Sequence, residues 1–347
     1  MSLRRLSNPP NPWLGRHVEY IGEAPLVALE VYEEEARSIL SENRSPDIAF
    51  RYSVNPYRGC YHACAYCYAR VTHQYLDFGA GTDFDRRIVA KINAPELLRE
   101  AFDRSGWRGE LIAFSGSTDC YQPIEASYEL TRRLLQVCVD YRNPVGIITK
   151  GILVRRDADL LAELTKTSQV SVYLSIPFVD DAMARAIEPT APAPSARFAA
   201  IRALAEAGVR VGVAVAPMIP GLNDDQVVAI LERASDCGAT QAFRILLHLS
   251  DPVREVFEER LRAELPLRAD RVMRALRDSR GGRVRNPTFG ERFIGRGARW
   301  EAIDRLFELT CRRLGLGSRE EGNAHEEAIA SPTTFRRPGA WEQRELF

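Results

Sequence analysis

The chain has 347 residues, 47 basic and 47 acidic side chains, no net charge and a 45% hydrophobic content. That balance excludes a disordered chain, and it gives no global field of the kind that steers a strong nucleic-acid binder to its target. No stretch approaches the ~20 apolar residues that span a bilayer, and the start MSLRRLSNPPNPW has no apolar run behind its arginines, so we expect no membrane contact, no secretory signal and a cytoplasmic location.

In chain order, residues 1–45 read as an N-terminal extension, proline-rich and then acidic, with helical character expected over LEVYEEEARSILSEN. From 46 to about 250, short apolar β-branched runs predict strands at FRYSV (50–54), IVAKI (88–92), LIAFS (111–115), VGIIT (145–149), VSVYLSI (170–176), VRVGVAV (209–215) and AFRILL (242–247). Between them lie helix patterns. PELLREAFDR opens on a first-turn proline, and DADLLAELTK is acidic early and basic late. SARFAAIRALAEAG and NDDQVVAILERASDCG both end on a C-cap glycine, and in the latter Asn223 and Gln226 are spaced as a capping box. Strands alternating with helices predict parallel βαβ units, about six of them, which suit an incomplete barrel; periodicity alone leaves an open doubly wound sheet as the alternative. Residues 251–347 form a C-terminal extension, helical to about 315 and carrying the loop GGRVRNPTFGERFIGRGARW. From Arg260 to Trp300 there are twelve arginines and no lysine against four acids, a local excess of +8. The planar arginine fork suits phosphate, so a nucleic acid is an expected partner of residues 260–300, with a solvated helix face as the alternative.

Seven cysteines are an odd number, and three fall within eight residues, CYHACAYC (60–67). That crowding favours reduced thiols serving a metal over a disulfide framework. Cys138, Cys237 and Cys311 sit in helix-like segments, where a free cysteine is usually a small buried hydrophobe. If FRYSV is the first strand, the loop carrying Cys60, Cys64 and Cys67 begins at its C-terminal end, where α/β folds place their chemistry. Three thiolates can hold three irons of a cubane cluster and leave the fourth iron open. A zinc site with His62 or a distant fourth ligand, and a cluster closed by Cys120, remain the alternatives, although His62 lies between two of the cysteines and cannot easily turn inward beside both.

The C-x3-C-x2-C spacing with Tyr66 before Cys67 resembles the signature of radical S-adenosylmethionine enzymes, and NPYRGCYHACAYCYAR resembles the branch related to spore photoproduct lyase. The similarity covers residues 45 to 250 or so. It implies an α/β fold, a partial (β/α)6 barrel, with a [4Fe-4S] cluster on Cys60, Cys64 and Cys67 and S-adenosylmethionine chelated at the open iron. A reductive electron donor of the flavodoxin or ferredoxin type is implied too, since one-electron reduction cleaves the C5′–S bond and releases a 5′-deoxyadenosyl radical that abstracts hydrogen from substrate.

The resemblance also implies contacts for that cofactor at successive strand ends. After LIAFS, GSTDCYQPIE offers Thr118 and Asp119 to the ammonium group, with a helix-capping turn as the alternative. Lys150, after VGIIT, suits the carboxylate, and Ser175 resembles a ribose-contacting serine. Glu188 and Arg197 are placed to brace the site or each other; Ile219, in VAPMIPGLND, and Tyr66 offer adenine an apolar wall. Spore photoproduct lyase returns hydrogen from a cysteine at the second-strand end, where this chain has Gly116; Cys120 lies just beyond and is the candidate hydrogen donor. Thymine-dimer repair is thereby put in doubt. A peptide or small metabolite as radical substrate, and a non-catalytic iron–sulfur or zinc module on nucleic acid, stand as alternatives.

Overall fold

The computed structural model describes residues 28–48, 50–284, 290–318 and 333–338. Eleven strands run in chain order: β1 (Glu30–Glu34), β2 (Leu40–Glu42), β3 (Tyr52–Val54), β4 (Tyr57–Arg58), β5 (Arg87–Lys91), β6 (Ile112–Phe114), β7 (Val145–Thr149), β8 (Val170–Ser175), β9 (Val211–Met218), β10 (Gln241–Leu246) and β11 (Gly317–Ser318). The main sheet has the order β11-β10-β9-β8-β7-β6-β3-β2. Its six central strands, β3 and β6 to β10, are all parallel and succeed one another in chain order. β2 closes one edge antiparallel to β3, and β11 adds a two-residue parallel edge beside β10.

Right-handed crossovers that always step in one direction put every connecting helix on the same face, which curls the sheet into a partial (β/α)6 barrel. The side chains divide accordingly. Val170, Val172 and Leu174 of β8, and Val211, Val213 and Val215 of β9, join the large core beneath the helices. The alternate positions Tyr173, Ala214 and Phe243 form a small cluster on the concave face. Ile148 of β7, also at an alternate position, is 40% exposed there, so the concave face is partly open. Cys138, Cys237 and Cys311 are buried in the large core, as a small hydrophobe would be.

Three local expectations are corrected. LEVYEEEARSILSEN is not helical: it supplies β1 and β2, because Glu30 to Glu34 pair residue by residue with Arg87 to Lys91, and cross-strand pairing outweighs the helix propensity of its glutamates. IVAKI is a strand, but it lies between β1 and β4 in a separate three-stranded sheet. Asn223 and Gln226 form no capping box. The Asn223 carbonyl accepts from the Ile219 amide (2.6 Å) and its amide nitrogen donates to the Pro177 carbonyl (2.7 Å), while Gln226 accepts from the Val179 amide (2.8 Å). Both side chains staple loops at strand ends.

After β10 the chain forms helices Asp251–Glu264, Pro266–Asp278 and Ala298–Leu314. Val253, Phe257, Leu261, Val272 and Leu276 of the first two pack with Cys64, Ala65, Tyr66 and Ile219. The C-terminal helices thus seal the outside of the cysteine loop, each fully buried aliphatic side chain contributing roughly 1.5–3 kcal/mol.

Candidate active site

The cysteine loop is held by its own backbone and by groups reaching in from elsewhere. Gly59 turns the chain at φ +75°, where a Cβ would meet His73 Cε1 at 2.8 Å and the Phe84 and Arg87 carbonyls at 2.9 Å. Only glycine fits there. The Arg70 guanidinium, fully buried, donates from Nε and Nη2 to the Cys64 carbonyl (3.0 and 2.9 Å) and from Nη1 to the Ala80 and Gly81 carbonyls. Asp85 balances its charge at 2.8 Å. Gln122 donates to the Gly59 carbonyl (3.0 Å) and accepts from the Tyr61 amide (2.9 Å).

Cys60 and Cys64 are buried and Cys67 is nearly so. Burial pushes all three thiols up, Cys64 to about 12, even though Lys150 and Arg197 act in the opposite sense on Cys64. Without a metal these are protonated thiols; a bound metal would take the proton's place, and the buried loop would then carry anionic sulfur. Three soft donors on a fixed short loop fit an iron–sulfur cluster. No three His, Cys, Asp or Glu side chains among the described residues converge on a single metal-ion position. Thiolates of a multi-iron cluster bind separate irons and need not converge.

Beside the loop, the strand ends hold a connected polar cluster. Lys150, directly after β7, donates from Nζ to Ser175 Oγ at 2.9 Å, stands 3.8 Å from Glu188 and lies 5.4 Å from the centre of the Tyr66 ring. Ser175, the last residue of β8, donates on to the Ala216 carbonyl (2.8 Å). Glu188 is buried and accepts from Tyr66 Oη and Arg197 Nη2. Arg197 also donates to the Ser175 carbonyl (2.9 Å) and the Pro192 carbonyl (2.7 Å). Burial alone would raise the Glu188 carboxyl; the Arg197 and Lys150 charges and the two hydrogen bonds overcome it and hold the carboxyl below its usual range.

Asp119 is a second node. It accepts from the Thr149 hydroxyl (2.5 Å), the Lys150 amide (2.7 Å) and the Tyr121 amide (2.9 Å), and its Oδ2 lies 3.3 Å from His62 Nδ1. Burial works to raise its carboxyl, but His62, the Thr149 hydroxyl and the Lys150 amide hold it far below the ordinary value. His62 is therefore turned toward Asp119. Its Nε2 is buried and has no hydrogen-bond partner.

The structure gathers Tyr66, Lys150, Ser175 and Arg197 around Glu188, and it sets Ile219 in one apolar cluster with Tyr66 and Cys64. Thr118 stands apart. Its hydroxyl meets the Asn55 side chain (2.8 Å) and the Tyr57 carbonyl (3.1 Å), and Asn55, with its amide oriented to suit, also accepts from the amides of Ser117 and Thr118. Cys120 is fully buried in the large core, its sulfur accepting from the Ser115 hydroxyl (3.0 Å) and its thiol raised by burial. Sequence reasoning missed Arg70, Gln122 and Asn55 as braces of the loop. The arginine of the YAR triplet was the one visible signal.

Part of the arginine-rich segment is tied into the fold, and the rest is exposed. Arg260 donates to the Ala186 carbonyl (2.7 Å), and Arg262, Arg292, Arg296 and Arg299 pair with Asp270, Asp47, Glu291 and Asp224. Arg271, Arg274, Arg277 and Arg283 are exposed; Arg285 lies outside the described residues. No helix among the described residues is long and apolar enough to cross a membrane.

Known proteins share parts of this sequence and this fold. An uncharacterized protein of Mycobacterium tuberculosis, Rv2578c, is 41% identical over 220 residues, covering 62% of this chain and 65% of that one, so the chain spans just under two thirds of that relative. An uncharacterized protein of Methanocaldococcus jannaschii, MJ0683, is 31% identical over 200 residues, 58% of this chain and 72% of that one. Among solved structures, spore photoproduct lyase complexed with dinucleoside spore photoproduct superposes with a TM-score of 0.59 at 14% identity, over 83% of this chain and 81% of that one, which is a likeness of fold. The sequence profile of the Radical SAM superfamily matches residues 54–234, just over half of the chain, from the end of β3 into the helix before β10. The chain belongs to the radical SAM superfamily, and its family implies an iron–sulfur cluster and S-adenosylmethionine.

Proposed function

We propose that the chain is a radical S-adenosylmethionine enzyme in which Cys60, Cys64 and Cys67 hold a [4Fe-4S] cluster. When bound, cluster and cofactor would together supply a reductively generated 5′-deoxyadenosyl radical for hydrogen abstraction from a substrate. One observation carries this reading: the three-cysteine loop and the Lys150–Ser175–Glu188 cluster occupy the same end of successive barrel strands. Lys150 offers a cation to the cofactor carboxylate, and Asp119 an ionised carboxylate to its ammonium group. Ser175 offers a hydroxyl to ribose, and Tyr66 with Ile219 an apolar wall to adenine. Glu188 and Arg197 neutralise each other and keep Lys150, Ser175 and Tyr66 in place, so the cluster is set before any ligand arrives. Thr118 and Cys120 are given no role at the cofactor, since Thr118 is held against Asn55 and Tyr57 apart from the Glu188 cluster and Cys120 lies in the large core.

A nucleic acid is the substrate class we favour, contacted through the exposed arginines of residues 260–300, and a flavodoxin or ferredoxin type of protein is the proposed electron donor. Seven unpaired cysteines suit the reducing cytoplasm. The test is anaerobic reconstitution followed by metal analysis and EPR of the reduced protein. About four irons and four sulfides per chain, with an EPR signal that shifts on adding S-adenosylmethionine, are expected. One zinc per chain, or a signal indifferent to the cofactor, would contradict the proposal. A substrate-competition assay in which a peptide or metabolite, and not an oligonucleotide, accepts deuterium exchange would overturn the nucleic-acid assignment alone.

A further inference from the structure

Arg197 and Arg280 are both buried, and the fold treats them differently. Arg197 is neutralised by Glu188. Arg280, just past the helix Pro266–Asp278, is 6% exposed, and its Nη2 donates to the carbonyl of Leu247, the residue after β10, at 2.6 Å. Its Nε and Nη1 are buried without a partner among the described residues. No carboxylate among the described residues acts on it: burial pulls the guanidinium down, to about 10. Asp278, the acid nearest along the chain, is exposed. The hydroxyls of Ser279 and of Ser250, three residues past Leu247, are likewise buried and have no partner among the described residues.

Folded proteins seldom bury a charge whose donors go unanswered, because nothing then repays its desolvation. Every unsatisfied group here can donate, which is the chemistry of an oxyanion site. The turn that follows is not packed over: Gly281 and Gly282 stand at φ +64° and +90°, and a Cβ on either would meet no atom within 4 Å. The free guanidinium donors diverge, which suits the tetrahedrally arranged oxygens of a phosphate better than the two coplanar oxygens of a carboxylate. We infer that Arg280, with Ser250 and Ser279, forms an anion subsite at the end of β10 that receives a phosphate group of the substrate. The inference rests on the proposed function only in taking the strand ends as the substrate face.

Isothermal titration of the reconstituted full chain with pyrophosphate, and with a dinucleotide carrying or lacking a 5′-phosphate, tests it. Wild type should bind pyrophosphate and prefer the phosphorylated dinucleotide. Arg280→Met should bind both phosphate ligands at least tenfold more weakly, and Arg99→Ala, a surface arginine paired with Asp140 outside residues 260–300, should bind as wild type does. Absent binding to wild type, equal binding by Arg280→Met, or an equal response to acetate at matched ionic strength would overturn the inference. Should Arg280→Met fail to fold, the Ser250→Ala/Ser279→Ala protein replaces it: about threefold weaker binding is expected, and unchanged binding overturns the subsite. 5′-Deoxyadenosine formation is read separately. Phosphate binding without that product would sink the radical reading and leave the subsite standing; the product without phosphate binding would do the reverse.

Discussion

The interior cluster around Glu188 and the arginine-rich segment from Arg260 to Trp300 both concentrate charge, and they spend it differently. Inside, Lys150, Arg197 and Tyr66 all converge on one buried carboxylate, and the geometry is fixed by partners within the chain. Along 260–300, some arginines tie helices to the barrel while Arg271, Arg274, Arg277 and Arg283 extend into solvent. In the proposed function the first region positions a small ligand in one pose. The second, if it has a partner, offers it a flexible and salt-sensitive rim.

That contrast can be broken most severely at Glu188. Replacing it with alanine leaves Arg197 buried and unpaired, so the chain should lose about 3–5 kcal/mol in urea unfolding. A loss below about 1 kcal/mol would mean that the cluster is not the rigid node described. Acid offers the next largest effect. Burial lowers the His73 imidazole to about 4, while its Nε2 lies 2.8 Å from the Arg87 carbonyl beneath Gly59. The unfolded chain takes up this proton below about pH 6.5, the folded one only near 4, so stability present above 6.5 is lost as pH falls between the two, by roughly 3 kcal/mol. The difference in stability between wild type and His73→Gln, followed from pH 7 to 4, should shrink over that window. A constant difference would contradict the assignment. Asp119 and Glu188, both held low, lose their contribution only at still lower pH.

Gly59→Ala should cost roughly 2 kcal/mol through its positive φ and the atoms its Cβ would strike, and should lower iron retention after reconstitution. Full iron content with unchanged stability would show the turn to be adaptable. The smallest stability effect belongs to the rim. Arg271→Ala/Arg274→Ala/Arg277→Ala should change stability by no more than about 0.5 kcal/mol per site, yet flatten the salt dependence of oligonucleotide binding by about two to three units of slope. An unchanged slope would remove the rim from nucleic-acid contact.

Much of this was legible in the sequence because it rests on local pattern. Strand runs, a three-cysteine spacing and polar residues just past strand ends are written within a few residues of each other, and Lys150, Ser175, Glu188 and Arg197 do meet. What escaped depends on distant partners. β1 reads as helix until its pairing with β5 is known, and Thr118 reads as a ligand contact until Asn55, 63 residues earlier, is seen to occupy it. His62 meets Asp119 across 57 positions, a contact that no spacing rule anticipates. Charge counting likewise identified the arginines of 260–300 without separating the paired from the exposed, and it gave no hint that Arg280 is buried.

The central claim is tested most directly by the product of cofactor cleavage. The reconstituted chain, reduced anaerobically with S-adenosylmethionine, should yield 5′-deoxyadenosine by chromatography, and Cys64→Ala treated identically should yield none. Equal product from both proteins, or none from a wild type that holds four irons and an oligonucleotide substrate, would contradict the account.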